Sequence, residues 1–482
     1  MRHFLSEMAA GTGNTMEMQS LPGATFRGWI DHLHRTGRFV TAAPSLDLEY
    51  QLAAVAKRLD QKKGVLFPSP SGHSIPVVAG LLSSRQWIAE ALGVDEQGLL
   101  SRFLDVVKNP LPTREVETSP AYEVTHERDA IDLLKLLPIP THNEHDYGPY
   151  LSAGVLVMRN PVTGKQNVSI NRCQVSGKNK FGILIETRDT RQFYADAEKV
   201  GQPLEVAIVI GADPFVMIAS QITGQHGQNE LEFAGAMGGA PLPVIKCKTN
   251  DVRIPANAEI VIEGRILPKV REDEGPFGEF PQLYGPRGQR QVLEVDLVAH
   301  RRKPIFYTIV SGCREHLLLG SLPREAVVLS RMQSIFPNVR NVHLSMGGVG
   351  RFHLYIQIHK RMDGESKNIL LSGLSQHFDF KLATVVDDDI DIFDPLDVEW
   401  AMATRFQADR DLLIVSDAQC SKLDPAARDG TGAKLGIDAT KPVGAEELRF
   451  KRIRVPGEEA VDVDALLRKA PSENWRRDAA LD

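Results

Sequence analysis

Cysteine is scarce in this 482-residue chain, with four residues, Cys173, Cys247, Cys313 and Cys420, spaced far apart. No CxxC pair occurs, so neither a cysteine zinc site nor a disulfide scaffold is expected, and buried free thiols in a reducing cytoplasm fit instead. Long apolar runs are missing too: no segment reaches the roughly 18 residues of a membrane helix. The first residues, MRHFLSEMAAGTGNTMEMQS, lack the apolar core of a signal peptide. Positive charge is not in excess. A net charge of −6 and a pI near 6.2 argue against nucleic-acid binding by bulk electrostatics. Walker A, GxSxG and HExxH motifs are all absent.

What is present is an ordinary globular composition, 42% hydrophobic and 24% charged, in a chain long enough for more than one core. Residues 1–20 read as a poorly ordered extension. Phe26, Trp29, Ile30 and Leu33 have helical spacing within Thr25 to Arg38, and a second helix fits Leu46 to Leu59. Between Tyr150 and Val310, runs such as SAGVLVMR, LEVAIVIG and RQVLEVDLVAH recur between turn residues, the pattern of an antiparallel sheet or barrel. A helix is expected over Thr190 to Val200, and another over Ser321 to Phe336 with Pro323 near its start. Asp394 and Pro395 signal one more helix in a third, α/β region, whose charged tail from Val455 could reach a partner subunit.

Three stretches can carry chemistry. In Glu274-Gly275-Pro276-Phe277-Gly278-Glu279, two carboxylates flank a turn stiffened by Gly and Pro, so each can be aimed in a set direction. Paired carboxylates in unlike surroundings can separate an acid from an ion-pair partner; the alternative is a solvated acidic loop. In Asn167-Val168-Ser169-Ile170-Asn171-Arg172, strand alternation sends Asn167, Ser169 and Asn171 to one face, and Arg172 to the other unless the strand bends. Amide and hydroxyl oxygens suit hard cations, and Arg suits carboxylate or phosphate, yet a half-exposed polar strand reads the same way. In Asn229-Glu230-Leu231-Glu232, Glu230 or Glu232 could ligate a metal or simply occupy a first helical turn. His142 and His145 read as hydrogen-bonding loop residues rather than a metal pair. Asp387-Asp388-Asp389-Ile390-Asp391 opens like an EF-hand but lacks its Gly and its final Glu, which excludes calcium.

Taken together, EGPFGE, NVSINR, NELEFAGAM, VIKCKTNDVRIPANAEIVIEG and DDDIDIFDPLDVEWAMATRF resemble the UbiD decarboxylase family, over nearly the whole chain. The resemblance implies an N-terminal α/β segment (21–125), a split β-barrel of flavin-reductase type holding the cofactor (126–320), a linking helix (321–339) and a C-terminal α/β dimerisation domain (340–482). It implies prenylated FMN as cofactor, supplied by a flavin prenyltransferase and held through its phosphate by Mn²⁺ or Mg²⁺ and K⁺. The implied metal ligands are Asn167, Asp189 and Glu230, and the stretch Val168, Ser169, Ile170, Asn171, Arg172 with Arg188 lines the cofactor. At Asp189 the chain departs from the family, which commonly reads Arg-His-Thr where this sequence has Arg188-Asp189-Thr190. A carboxylate still suits Mg²⁺ or Mn²⁺.

The implied catalytic trio is Arg172, Glu274 and Glu279. Arg172, paired with Glu274, orients the substrate carboxylate, and Glu279 delivers the proton to the carbon that loses CO₂. Loss of CO₂ from an unsaturated carbon needs an electron sink, which the family's modified flavin provides. PTHNEHDYGPY and GCREHLLLGSLPREA look like the members acting on furan-dicarboxylate or pyrrole-2-carboxylate, which implies substrate contacts from His316, Arg324 and Arg351; His316 and Arg324 could instead anchor their helix. The expected activity is a reversible, non-oxidative decarboxylation by a homodimer or larger homo-oligomer. Phenolic or benzoate-type acids, and a cofactor-binding but inactive subunit, stand as alternatives.

Overall fold

The structure is a computed structural model, and it describes residues 21–185, 188–224 and 228–467. The expected extension at 1–20 lies outside the described residues, as does the tail beyond 467. No helix among the described residues is long and apolar enough to cross a membrane.

Near the N-terminus, α1 (Phe26–Arg35) buries Phe26, Trp29 and Leu33, and α2 (Gln51–Leu59) follows. These helices accompany a small sheet of β1 (Phe39–Thr41), β2 (Gly64–Phe67) and β3 (Val77–Ala79), completed by Phe306–Tyr307 from much later in the chain. The second helix starts at Gln51, five residues after the expected Leu46.

The central body is one nine-stranded antiparallel sheet built from β4 (Val124–Glu127), β5 (Tyr150–Leu151), β6 (Val155–Arg159), β7 (Gln166–Ile170), β8 (Cys173–Gly177), β9 (Lys180–Ile183), β10 (Leu204–Ile210), β11 (Ile260–Glu274) and β12 (Gly288–His300). Its order is β5-β8-β9-β12-β11-β10-β6-β7, with β4 also on β12. β5 and β7 are the two ends of this path and are not paired with each other, so the described strands form an open sheet and no closed barrel. Alternation along the strands could announce an antiparallel sheet but not whether its ends meet.

Three helices frame the site: α3 (Arg188–Val200), α4 (Glu230–Gly238) and α5 (Arg314–Ile335). α5 corrects the expected helix over 321–336. It begins seven residues earlier, and Pro323 lies in its interior. An interior proline costs roughly 3 kcal/mol. Here Leu317, Leu318, Leu319 and Leu322 are all buried around it, and packing overrides the local penalty.

The C-terminal region pairs β13 (Val339–Leu344), β14 (His353–Ile358), β15 (Leu382–Asp387), β16 (Leu412–Gln419) and β17 (Thr431–Ala439) in the order β13-β14-β15-β17-β16. Within the acidic run there, Arg405 bridges Asp387 at 2.6 Å and Asp389 at 2.8 Å. Asp394 caps the helix Pro395–Arg405 by accepting the Leu396 N–H.

Candidate active site

The chain turns sharply where β11 ends. Gly275 has φ +86°, a conformation that a side chain disfavours, and a Cβ on Gly278 would sit 2.4 Å from the Asn143 amide. Both glycines of the turn are therefore demanded by geometry. The turn brings Glu274, fully buried, and Glu279 to the same guanidinium. Arg172 Nε and Nη2 donate to the two oxygens of Glu274 at 2.9 and 2.8 Å, a bidentate fork, while Nη1 donates to Glu279. Arg172 reaches this place because β7 stops at Ile170, so the strand no longer dictates its face. Its guanidinium lies 5.3 Å from the Phe277 ring centroid.

Burial pushes the Glu279 carboxyl above the usual carboxylate range, and the Glu274 charge adds to that; Arg172 and Arg351 pull it back. Burial likewise disfavours charge on Arg172, but its two carboxylates more than compensate and hold it protonated. One cation is thus shared by a fully buried acid and a half-buried one. Such a set accommodates one extra proton more readily than two full negative charges.

A second cluster forms at the free edge of β7, against the N-termini of α3 and α4. The Asn167 amide donates to Thr190 Oγ1 at 3.3 Å, Ser169 Oγ donates to Asn171 Oδ1 at 2.7 Å, and the Val168 N–H donates to Glu230 at 2.8 Å. The expected alternation holds: Asn167, Ser169 and Asn171 share this side, while Ile170 is half-buried in the strand. Asp189 is gripped by the neighbouring Arg188 at 3.0 and 2.8 Å. Burial, aided by the Asp189 charge, pushes the Glu230 carboxyl up to about 8. An amide oxygen, two carboxylates and two helix N-termini form a hard-oxygen donor set with spare anion affinity, which suits a divalent cation bound to a phosphate. Glu232, the other acidic candidate, is partly exposed.

The residues expected on the substrate side lie on and beside α5. His316 and Arg324 both belong to it, at the first turn and mid-helix. His316 Nδ1 accepts the Gly312 N–H at 3.2 Å, leaving its proton on Nε2, and burial lowers its pKa to about 3. Arg324 donates to Asp379 at 3.0 Å. Arg351 stacks on Phe280 at 4.2 Å, next in sequence to Glu279. Its Nε is buried without a hydrogen-bond partner among the described residues, and burial lowers its pKa to about 10. A Cβ on Gly320 would fall 2.7 Å from Arg351 Nη2, so the helix is bare where the guanidinium rests. His142 bonds Thr308 at 2.9 Å, and the His145 ring lies against Tyr284, so these two serve the loop and not a common metal.

Sequence reasoning passed over the residues that hold the turn. Tyr150, Gln174 and Asp146 contact Glu274, Gly275 and Gly278, more than 100 residues away in sequence. Tyr150 and Asp146 sit in the same THNEHDYGPY stretch whose histidines drew attention. Their contacts leave no local pattern.

A buried guanidinium held between two acids, with a cluster of oxygen donors and helix N-termini at the sheet edge beside it, is an arrangement suited to acid–base chemistry next to a bound anion. Family models for 3-octaprenyl-4-hydroxybenzoate carboxy-lyase match in three parts: the N-terminal domain at residues 30–107, the Rift-related domain at 114–314 and the C-terminal domain at 317–439. Anhydromevalonate phosphate decarboxylase of Methanothermobacter thermautotrophicus is 35% identical over 89% of this chain and 99% of its own length. The UbiD-class enzyme HmfF of Pelotomaculum thermopropionicum, solved in complex with FMN, is 46% identical with a TM-score of 0.89, over 92% of this chain and all of that one. An evolved dimeric form of HmfF was solved with prFMN. The apo 3,4-dihydroxybenzoic acid decarboxylase of Enterobacter cloacae is 28% identical with a TM-score of 0.84, over 92% of this chain and 99% of that one. This chain belongs to the UbiD family of decarboxylases, which are carboxy-lyases.

Proposed function

We propose that the chain decarboxylates a heteroaromatic acid of the furan or pyrrole type, reversibly, with prenylated FMN held at the β7 edge. The observation that carries this reading is Arg172 locked between Glu274 and Glu279, with Arg351 beside Glu279 on the α5 side. Asn167 and Glu230 would hold a divalent ion, Mn²⁺ or Mg²⁺, with Asp189 at the third position and K⁺ nearby. Val168, Ser169, Ile170, Asn171 and Arg188 would line the cofactor. When bound, the modified flavin supplies the sink for the electron pair that CO₂ leaves behind.

This chain's own residues do the rest. Arg172 presents donors to the substrate carboxylate and carries a charge that Glu274 fixes in direction. Glu279, whose proton burial retains, hands it to the ring carbon after CO₂ departs. The neutral His316 offers an Nε2–H to a ring heteroatom or carboxylate. Arg324 is already balanced by Asp379, whereas Arg351 keeps a donor to spare, which favours a second anionic group on the substrate.

Two expected results follow from this arrangement. Gly320→Ala places a methyl group where Arg351 lies, so KM for the acid should rise about ten-fold while the melting temperature changes little. Equal KM values for variant and parent would remove Arg351 from the substrate site. Asp189→His should alter the metal retained through purification, read by elemental analysis. Unchanged content would exclude Asp189 as a ligand, in keeping with its grip by Arg188.

The test of the function is CO₂ release by protein co-expressed with a flavin prenyltransferase. Furoate, pyrrole-2-carboxylate and furan-dicarboxylate should be turned over, with kcat/KM above that for 3,4-dihydroxybenzoate and anhydromevalonate phosphate. A preference for either of the last two would reassign the substrate class. A protein without flavin absorbance or turnover would point to an inactive subunit.

A further inference from the structure

The Arg172 trio is asymmetric. Glu274 accepts Arg172 Nε and Nη2 and, in addition, the phenol O–H of Tyr150 at 3.1 Å. Among the described residues, the hydrogen bond to the Glu279 carboxylate comes from Arg172 Nη1. Tyr150 is 1% exposed and its ring packs on Phe277 at 4.3 Å. Its hydroxyl faces acceptors on every side: Glu274 Oε1, Gln174 Oε1 at 3.1 Å and the Pro276 carbonyl at 3.5 Å. The Gln174 amide orientation is fixed, because Nε2 donates to the Tyr147 carbonyl at 2.8 Å and Oε1 accepts the Gly275 N–H at 3.0 Å. The phenol must therefore act as a donor here, and an ionised carboxylate is the strongest acceptor in its reach.

We propose that Tyr150 is a positioning residue for the decarboxylation: its O–H holds Glu274 as the fixed carboxylate of the trio, so that the transferable proton resides on Glu279. The inference rests on the reading of Glu279 as proton donor and extends it to a residue outside the trio. Burial and the Glu274 charge push the Tyr150 phenol up, so it stays neutral and able to donate. The charged and titratable groups facing the pair are Arg172, Arg351, Tyr150, Asp146 and Cys173. The Cys173 thiol is buried and held neutral, its pKa raised beyond the usual thiol range. Arg172 bonds both acids, twice to Glu274 and once to Glu279, and Tyr150 adds a donor to Glu274 that Glu279 has no counterpart for among the described residues.

Without the phenol oxygen, Glu274 loses one of the donors that fix it, and its charge is held less closely against Glu279. Negative charge beside Glu279 then falls, and Glu279 gives up its own proton at lower pH. Activity requires Glu279 protonated, so the alkaline limb of the kcat profile should move down.

The experiment uses holoenzyme carrying Y150F, which keeps the ring and its packing on Phe277. Flavin absorbance should match the parent. The kcat should fall about ten-fold with KM changed less than about two-fold, and the alkaline limb should shift down by about one pH unit. Site-specific 3-fluorotyrosine at position 150, a stronger donor of nearly the same size, should shift the limb upward. That variant also carries the test should Y150F fold poorly. A Y150F or fluorotyrosine profile superposable on the parent overturns the inference and leaves the proton-donor reading standing. Turnover retained by E279Q overturns both.

Discussion

Glu279→Gln should yield a protein that binds its flavin as the parent does and releases CO₂ at least about 10³-fold more slowly. The amide keeps the size of the side chain and still offers an oxygen to Arg172, so the turn should survive. Arg172 also keeps its bidentate partner, since both oxygens of Glu274 remain engaged at 2.9 and 2.8 Å. What disappears is the acidic proton, which an amide does not release at any working pH. Absorbance, melting temperature and turnover together check this. Unaltered turnover would strip Glu279 of its role and leave the trio as an ordinary buried ion cluster.

Glu230→Ala should part the enzyme from metal and flavin together, with retention on purification falling more than about 100-fold. Glu230 is 6% exposed, opens α4, and reaches across to the β7 edge through the Val168 N–H at 2.8 Å. Without a cation, such a buried carboxylate is costly to ionise, which is why its pKa stands near 8. Its removal should therefore leave the apo fold no less stable, while the loaded enzyme is lost. Elemental analysis and flavin absorbance read the loss, and calorimetry of the apo protein reads the fold. A variant that keeps its flavin would place the cation elsewhere.

Much of this is legible in the sequence. Alternation along 167–171 put three polar side chains on one face, and the Gly-Pro-Phe-Gly turn marked two carboxylates as aimed. The order of the motifs pointed to the family. Hidden from sequence was whatever depends on distance across the fold. Tyr150 and Glu274 meet from 124 positions apart, and Arg324 finds Asp379 55 positions on. No periodicity records such contacts. The early start of α5 was hidden for a different reason: Pro323 read as a boundary, and only burial on all sides of the leucines carries the helix through it. Whether the long sheet closed on itself depended on strand order, which hydrophobic spacing leaves open.

α5 is pinned near both ends of the stretch that carries His316, Gly320 and Arg324. Glu315 accepts the Gly80 and Leu82 N–H groups at 3.1 and 2.7 Å, and Glu325 takes Arg85 at 2.7 Å and His343 at 2.8 Å. Between those pins, His316, Gly320 and Arg324 recur every fourth residue along one stripe. If the acid binds as proposed, the helix works as a ruler laid alongside it, its marks a turn apart. Exchanging one mark would retune a single contact with the acid, whereas loosening a pin would slide every mark at once.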